Sequence, residues 1–326
     1  MTTEEKKESW WIYQGTEEPH NDIENLPKPP TWRDKKIKKK NTFVPSRKEM
    51  QLVNTALYLR RPLLITGKPG TGKSALAKSV AQELGLGEVL SWHITTQSTL
   101  KDALYSYDAI ARLHETSMQK NSSDDEQEKK RENIGKYITL GAIGTAFYES
   151  KLKNIRVVLI DEIDKSDIDL PNNLLHILEE NRFVIPELVR SVDSKHTVDT
   201  ADGNSAEIIK GKIDADMEYF PLIIMTSNGE REFPPAFLRR CIHLEIDVPD
   251  EEKLIKIVES HLELNVEESK DIKDVISEFL QKRDVEGKEL ATDQLMNAIF
   301  LVLKERNVLD ESNQDILESI WHSLSS

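Results

Sequence analysis

The spacing of apolar positions changes character at about residue 249. Before it, short apolar runs alternate with segments of helical periodicity, which is typical of a parallel sheet covered by helices on both faces. After it, apolar residues follow the i, i+3, i+4, i+7 spacing of amphipathic helices. The pattern predicts an α/β domain followed by a small helical bundle. Strands are predicted at 63–66, 89–94, 156–160, 220–225 and 242–246.

Helices are predicted between and after these strands. Two polar stretches lack a clear period, so 121–130 is expected to be a disordered insertion and 192–216 to be irregular. Residues 182–185 are expected to begin a hairpin-like insertion. The predicted helices are 48–58, 73–84, 100–114, 141–147 and 169–180, then 252–264, 266–283, 291–306 and 311–324.

The first 45 residues differ from the rest. They contain three of the five tryptophans, Trp10, Trp11 and Trp32, a proline cluster at 26–30, and a lysine-rich run at 35–40. Proline removes backbone donors and favours extended chain, so we expect an arm without helix or central strand. Such an arm either docks onto a partner or neighbouring subunit, or packs its tryptophans on its own chain.

Composition narrows the setting in which the protein works. Its 326 residues can form one large or two modest domains, and a net charge of -14 disfavours general affinity for nucleic acid. The single cysteine, Cys241, excludes an intrachain disulfide and is typical of a reducing cytosol. Neither a secretory signal nor an apolar run of about 18 residues is present, so we expect a cytoplasmic protein without a membrane span.

The first chemical motif follows the strand at 63–66. The chain there reads G-K-P-G-T-G-K-S and continues into a helix, the strand, loop and helix order of a phosphate-binding P-loop. Lys73 would place its charge near the β- and γ-phosphates, and Ser74 would bind Mg²⁺ through its hydroxyl. The alternative is a glycine-rich turn that happens to contain lysine. The residues expected to bind the nucleotide, ATP, are Gly67, Lys68, Pro69, Gly70, Thr71, Gly72, Lys73, Ser74 and Ala75.

Further candidates follow later strands. Asp161 and Glu162 end a buried apolar run, so we expect Asp161 to hold Mg²⁺ and Glu162 to polarise the attacking water. Asn228 ends the next strand and can orient that water if the two strands are neighbours. Arg239 and Arg240 can stabilise charge on a transferring phosphoryl group. The simpler alternatives are a charged turn, an Asn-Gly turn and a surface arginine pair.

Taken in this order and spacing, the motifs resemble those of the AAA+ ATPases, specifically the MoxR-like branch, over roughly residues 46–305. In that family's terms, Gly67–Ser74 resembles the Walker A loop, Asp161 and Glu162 resemble Walker B, and Asn228 resembles the first sensor. Arg239 and Arg240 lie in the arginine-finger segment, and Arg240 is the better match. The hairpin-like stretch after Arg182 resembles the insertion that precedes the first-sensor strand.

The resemblance implies a fold and a way of working. The fold is a P-loop NTPase αβα domain with a parallel sheet at 46–248, followed by a helical lid at 249–326 and preceded by the arm at 1–45. Such proteins form rings, generally hexamers, with ATP at the subunit interfaces and the finger supplied by the neighbour. MoxR-like members act as chaperones on client proteins, often with von Willebrand factor A-domain partners. The arm resembles that of MoxR-like ATPases from bacterial conflict or defence systems.

One departure from the family pattern concerns the lid. Many AAA+ proteins carry a second-sensor arginine on the third lid helix, but the corresponding region, 289–296, contains none.

Two other functions stay open: a nucleotide-dependent switch or scaffold, and a restriction-type nucleic-acid translocase supported only by the lysine run at 35–40. The chain has no N-K-x-D motif and no L-S-G-G-Q segment, so a GTPase or an ABC transporter is not expected.

Overall fold

The structure is a computed structural model that describes residues 11–13, 15, 18–30, 32, 43–118, 134–305 and 314–322. The chain divides into two compact units, Pro45–Val248 and a second unit of Met1–Val44 with Pro249–Ser326. The division into arm, α/β domain and helical lid stays a prediction. No helix among the described residues is long and apolar enough to cross a membrane.

Strands and short helices alternate through the Pro45–Val248 unit. The strands described there are β1 (Leu63–Thr66), β2 (Leu90–His93), β3 (Tyr105–Tyr107), β4 (Ile138–Leu140), β5 (Val157–Asp161), β6 (Arg182–Val184), β7 (Lys195–Asp199), β8 (Ser205–Ile209), β9 (Lys212–Asp214), β10 (Leu222–Ser227) and β11 (Ile242–Glu245). The α-helices described there are α1 (Arg47–Leu59), α2 (Lys73–Glu83), α3 (Leu100–Leu104), α4 (Ala109–Met118), α5 (Ala142–Lys151), α6 (Leu170–Glu180), α7 (Pro186–Val189) and α8 (Pro235–Leu238).

Five of the strands form a parallel sheet in the order β11-β1-β10-β5-β2. Its inner strands are the apolar runs seen in the sequence, and all six residues of β10 are buried, as expected where helices cover both faces. Because the strands are parallel, the carboxyl ends of β1, β10 and β5 lie side by side. The loop after β1, Asn228 after β10 and Asp161 at the end of β5 therefore meet at one edge.

A second, six-stranded sheet in the order β3-β4-β7-β8-β9-β6 corrects the expectation that 192–216 is irregular. Strands β7 and β8 alternate exposed and buried residues, with His196, Val198, Ala206 and Ile208 facing inward. This is the period of a half-buried strand. The sequence pattern does not reveal this period, because histidine and alanine occupy two of the inward positions and Ile209 occupies an outward one.

The single helix predicted over 100–114 is also wrong. Helix α3 ends at Leu104, β3 pairs antiparallel with β4, and α4 begins at Ala109. Close approach of the chain allows this arrangement, because a Cβ on Gly144 would lie 2.0 Å from the Leu104 carbonyl oxygen. The strand depends on a partner more than 30 positions away along the chain, which local periodicity cannot reveal. The insertion predicted at 121–130 lies outside the described residues.

The second unit is helical among its described residues beyond Pro249. Its helices are α9 (Glu251–Leu262), α10 (Lys270–Leu280), α11 (Thr292–Lys304) and α12 (Gln314–Ile320). They bury one cluster that includes Leu254, Phe279 and Ile299. Trp32 packs against this cluster, with its ring edge-to-face on Phe300 at 5.7 Å between centroids. One tryptophan of the arm therefore packs on its own chain, whereas Trp11 is exposed and Trp10 and the lysine run lie outside the described residues.

Candidate functional site

The loop between β1 and α2 has the backbone that a phosphate cradle needs. Gly67, Gly70 and Gly72 have φ values of 153°, 74° and 91°, which side-chain-bearing residues rarely adopt. Gly67 also lies so close to the end of β11 that a Cβ on it would be 2.5 Å from the Ile246 carbonyl oxygen. Helix α2 starts at Lys73 without a side-chain cap. An uncapped helix start beneath a glycine loop is suited to bind an anion.

Lys73 is only 8% exposed and is held by its own loop. Its Nζ donates to the carbonyl oxygens of Gly67 at 2.7 Å and Lys68 at 2.8 Å. Burial lowers the pKa of Lys73, and the nearby charges of Asp164, Asp161 and Glu162 act in the opposite direction. Phosphate oxygens can take the place of these carbonyls. Of the other loop residues, Thr71 donates to the Lys68 carbonyl at 2.9 Å, while Lys68, Pro69 and Ala75 are exposed.

Asp161 lies directly beside Ser74. Its Oδ1 accepts hydrogen bonds from the Ser74 hydroxyl at 2.7 Å and from the Thr226 hydroxyl at 2.6 Å, and its Oδ2 is 3.4 Å from His93 Nδ1. No group of three or more His, Cys, Asp or Glu side chains within the described ranges could hold a metal alone. A hydroxyl and one carboxylate beside a phosphate cradle fit Mg²⁺, which usually keeps several waters and binds substrate phosphates.

Glu162 has an uncommon backbone conformation. Its φ of 61° and ψ of 48° place a non-glycine residue in the left-handed region, a kind of strain that often marks functional positions. Its N–H donates to Thr226 Oγ1 at 3.0 Å, and its Oε2 accepts from Lys165 Nζ at 2.8 Å. The hydrogen bond to Glu162 raises the pKa of Lys165. The carboxylate expected to activate water is thus paired with a lysine of its own turn.

Asn228 follows β10, and β10 pairs directly with β5, as its expected role required. The Asn228 N–H donates to Asp164 Oδ2 at 2.9 Å, and the Glu230 N–H donates to the same oxygen at 3.1 Å. Asp164 lies in the 3-10 turn Ile163–Lys165 that follows Glu162. The structure therefore brings the P-loop, Asp161, Glu162 and Asn228 to one edge of the sheet.

Arg239 and Arg240 are not part of this group. They are exposed residues at the end of α8, just before β11. Arg240 Nε lies 2.5 Å from Glu179 Oε1, and the Arg61 guanidinium donates to the carbonyl oxygens of both arginines. Ile242 pairs with Leu63, the first residue of β1, whereas Gly67 follows Thr66, the last residue of β1. The arginines therefore lie at the amino ends of the strands and the cradle at their carboxyl ends, separated by about 13 Å along the strand direction.

Some contacts at the site were not predicted from the sequence. Thr226, Asp164, Lys165 and His93 all touch the expected residues. Thr226 carried a weak signal, as a hydroxyl residue near the end of an otherwise apolar strand. Asp164 and Lys165 are ordinary turn residues by composition, and only the approach of β10 to β5 gives them partners.

The comparisons with known proteins concern the unit that contains this site. A family model described as "AAA domain (dynein-related subfamily)" matches residues 62–241, more than half of the chain. The matched segment runs from the residue before β1 to the residue before β11. The comparison with curated proteins gave no match.

Two solved structures resemble this chain remotely. NtrX from Brucella abortus, in complex with ATP, has 13% sequence identity and a TM-score of 0.34, covering 78% of this chain and 48% of that one. PCH-2 from C. elegans has 15% identity and a TM-score of 0.43, covering 81% of this chain and 65% of that one. The chain thus spans less than two thirds of the length of either neighbour.

Proposed function

Because this chain belongs to the AAA domain family, dynein-related subfamily, we propose that it hydrolyses ATP in a ring of identical subunits. Proteins of this family bind nucleotides at a P-loop, generally hydrolyse ATP and typically assemble into rings. We also propose that this chain is a MoxR-like member of the family, in which Arg240, assisted by Arg239, completes the site of the neighbouring subunit.

The position of Arg240 is the observation that carries this proposal. A cation that stabilises phosphoryl transfer must reach the γ-phosphate. Arg240 lies at the amino end of β11, whereas its own cradle lies at the carboxyl end of β1. It is also exposed, so it is available to another subunit. Its pairing with Glu179 joins two exposed side chains, and such pairs are worth about 0–1 kcal/mol. The arginine can therefore change partners at little cost.

The remaining roles follow from the contacts at the carboxyl edge. The P-loop and α2 hold the phosphates, and Lys73 exchanges its loop carbonyls for phosphate oxygens. Ser74 and Asp161 would hold Mg²⁺, which neutralises phosphate charge when it is bound. Glu162 accepts a proton from the attacking water, and Asn228 orients that water by hydrogen bonding. Glu162 must first release Lys165, its hydrogen-bond partner.

The test measures ATPase rate against protein concentration, alone and with inactive subunits mixed in. We expect activity per subunit to rise steeply with concentration, because each complete site needs two subunits. Arg240→Ala subunits should inhibit wild-type protein in mixtures, because each one withholds the arginine from its neighbour's site. Glu162→Gln subunits keep Arg240, so they should leave the rate per wild-type subunit unchanged. A rate per subunit that does not vary with concentration and is not lowered by Arg240→Ala subunits would contradict catalysis shared between subunits.

The finer identity of the assembly and of its client is part of the same proposal. We propose a hexamer with the helical segment 249–326 as the lid, acting as a chaperone on a protein client such as a von Willebrand factor A-domain protein. The sequence resemblance to the MoxR-like branch supports this. Pull-down with the Glu162→Gln variant and ATP tests it, because a stalled complex should retain the client.

A slow nucleotide-dependent switch is the second candidate. The observation that favours it is the Lys165–Glu162 hydrogen bond at 2.8 Å, which occupies the carboxylate needed for fast hydrolysis. In a switch, partner capture follows ATP occupancy and the partner is released unchanged. In a remodelling ATPase, the client's own folding or assembly state changes during turnover. Hydrogen exchange of the captured partner before and after release distinguishes the two.

A further inference from the structure

Asp164 is a buried carboxylate to which the mechanism above assigns no role. It is only 5% exposed, and it sits two positions after Glu162. Its Oδ2 accepts the N–H groups of Asn228 at 2.9 Å and Glu230 at 3.1 Å. Its Oδ1 is buried without a hydrogen-bond partner among the described residues. Burying a carboxylate is costly, and these backbone N–H groups are the donors that offset the cost here.

The two donors and the acceptor belong to different elements. Asn228 and Glu230 lie in the loop after β10, and Asp164 lies in the turn after β5. A second connection runs in parallel, because Arg231 Nη1 donates to the Ser166 carbonyl at 2.8 Å. The loop that presents Asn228 is thereby fastened to the turn that presents Glu162.

Packing contributes little to holding this loop. Gly229 has a φ of 81°, and a Cβ built on it would meet nothing within 4 Å. Gly229 and Glu230 are both exposed. With open space around its centre, the loop depends on hydrogen bonds for its conformation, and bonds to a charged acceptor are the strongest type present.

We propose that Asp164 is a positioning residue that fixes the Asn228 backbone and so aims the Asn228 side chain at the attacking water. The inference rests on the proposed ATPase function and deepens it. Asp164 acts through Asn228, and the orientation of the water is the step that it supports. Misplacing such a group by about 1 Å costs about 10²-fold in rate.

The main test is a double-mutant cycle between Asp164→Ala and Asn228→Ala. In the wild-type background, Asp164→Ala should lower kcat by about 10²-fold. In the Asn228→Ala background it should change kcat by less than about twofold, because the group that it positions is already gone. Asp164→Ala should not weaken the affinity for a non-hydrolysable ATP analogue in either background, since removing a negative charge does not weaken attraction for phosphate.

Asp164→Asn provides a second variant that retains the shape of the side chain. Its amide oxygen still accepts the two N–H groups but without a formal charge, so kcat should fall between wild type and Asp164→Ala. If Asp164→Ala fails to fold, the same cycle is run with Asp164→Asn. Hydrogen exchange of the segment 228–230 gives a readout independent of activity, and it should be faster in both variants.

Asp167→Ala is the matched control. Asp167 lies in the same turn region and is exposed, and its carboxylate accepts only its neighbour Asp169 N–H at 3.2 Å among the described contacts. We expect wild-type kcat and unchanged exchange at 228–230. Additive losses in the cycle, or a loss that appears only as weaker binding, would overturn the role of Asp164. An assembled wild-type protein that hydrolyses no ATP would instead refute the proposed function.

Discussion

Thr226 connects the two acidic residues of the site at the scale of single side chains. Its hydroxyl donates to Asp161 at 2.6 Å and accepts the Glu162 N–H at 3.0 Å, and the residue is 1% exposed. One hydroxyl thus holds the expected metal ligand and the strained backbone of the expected base. Thr226 therefore supports catalysis without touching the nucleotide in the proposed mechanism.

We predict that Thr226→Val destabilises the protein by about 1–3 kcal/mol, because the partly buried Glu162 N–H and Asp161 Oδ1 each lose a hydrogen-bond partner. ATPase activity should fall at the same time. Thr226→Ser is the matched control, since it keeps the hydroxyl, and it should retain most of both properties. Urea unfolding and steady-state kinetics check the two effects. Equal activity in the valine and serine variants would contradict the role given to the hydroxyl.

Ionisation of Cys241 makes the stability of the folded protein depend on pH, and this residue directly follows Arg240. Burial raises the pKa of its thiol to about 12, whereas an unfolded thiol ionises near about pH 8.5. The unfolded chain therefore loses its proton first. We predict that stability is insensitive to this group below about pH 8.5 and falls as the pH rises toward 12.

The folded thiol should also be nearly inert toward a thiol-exchange reagent at pH 8, and the reaction should require opening of the segment. Cys241→Ala should lack the part of this loss that begins at about pH 8.5, below the ordinary pKa values of tyrosine and lysine. Rapid labelling of the native protein at pH 8 would contradict the buried, neutral thiol.

At the scale of secondary-structure elements, side-chain hydrogen bonds attach the β7–β8 hairpin to the parallel sheet. Arg156, the residue before β5, has a side chain only 11% exposed. It donates from Nη1 to Asp202 at 2.9 Å and from Nη2 to the Glu88 carbonyl at 3.0 Å. Asp202 lies in the hairpin turn, where the Thr145 hydroxyl also accepts the Ala201 N–H at 3.0 Å. The insertion is therefore joined to the strand that ends in Asp161.

We predict that Asp202→Asn destabilises the protein by about 2 kcal/mol, because a mostly buried guanidinium loses its counter-charge. Asp214→Asn is the control, since its pair with Lys151 is exposed and 3.7 Å long, and it should cost less than about 1 kcal/mol. Burial alone would raise the pKa of Asp202, but hydrogen bonds from Thr200 and Arg156 lower it. The advantage of wild type over Asp202→Asn should therefore persist above about pH 4 and disappear as the pH falls further. Denaturant unfolding of both variants across this range is the measurement.

At the scale of the whole molecule, the proposed function requires an assembly to complete the site. One subunit provides the P-loop, Asp161, Glu162 and Asn228 at the carboxyl ends of its parallel strands. Its arginines lie at the amino end of β11. A head-to-tail contact brings the opposite edges of two subunits together, and such contacts close into rings. The proposed ring and the location of the arginines are therefore mutually consistent.

We predict that two inactive variants complement each other when mixed. Arg240→Ala subunits keep Glu162, and Glu162→Gln subunits keep Arg240, so an ordered pair of the two forms one intact site. At equal amounts, about a quarter of the sites in a random ring should be intact, and ATPase activity should reappear in proportion. Each variant alone should stay inactive. No recovery in mixtures proven to contain both subunits would contradict a site shared in this way.

The sequence alone determined the parts of this protein that depend on local order. A parallel α/β sheet, the P-loop after β1 and the acidic pair after β5 were all predictable, because apolar runs and glycine spacing are properties of neighbouring residues. Only the tertiary structure decided the rest. The second sheet depends on pairings between distant segments, and Thr226 and Asp164 acquire partners only because β10 lies beside β5. The opposite locations of the cradle and Arg240 likewise follow from strand order, since a parallel sheet separates the two ends of every strand by its full length.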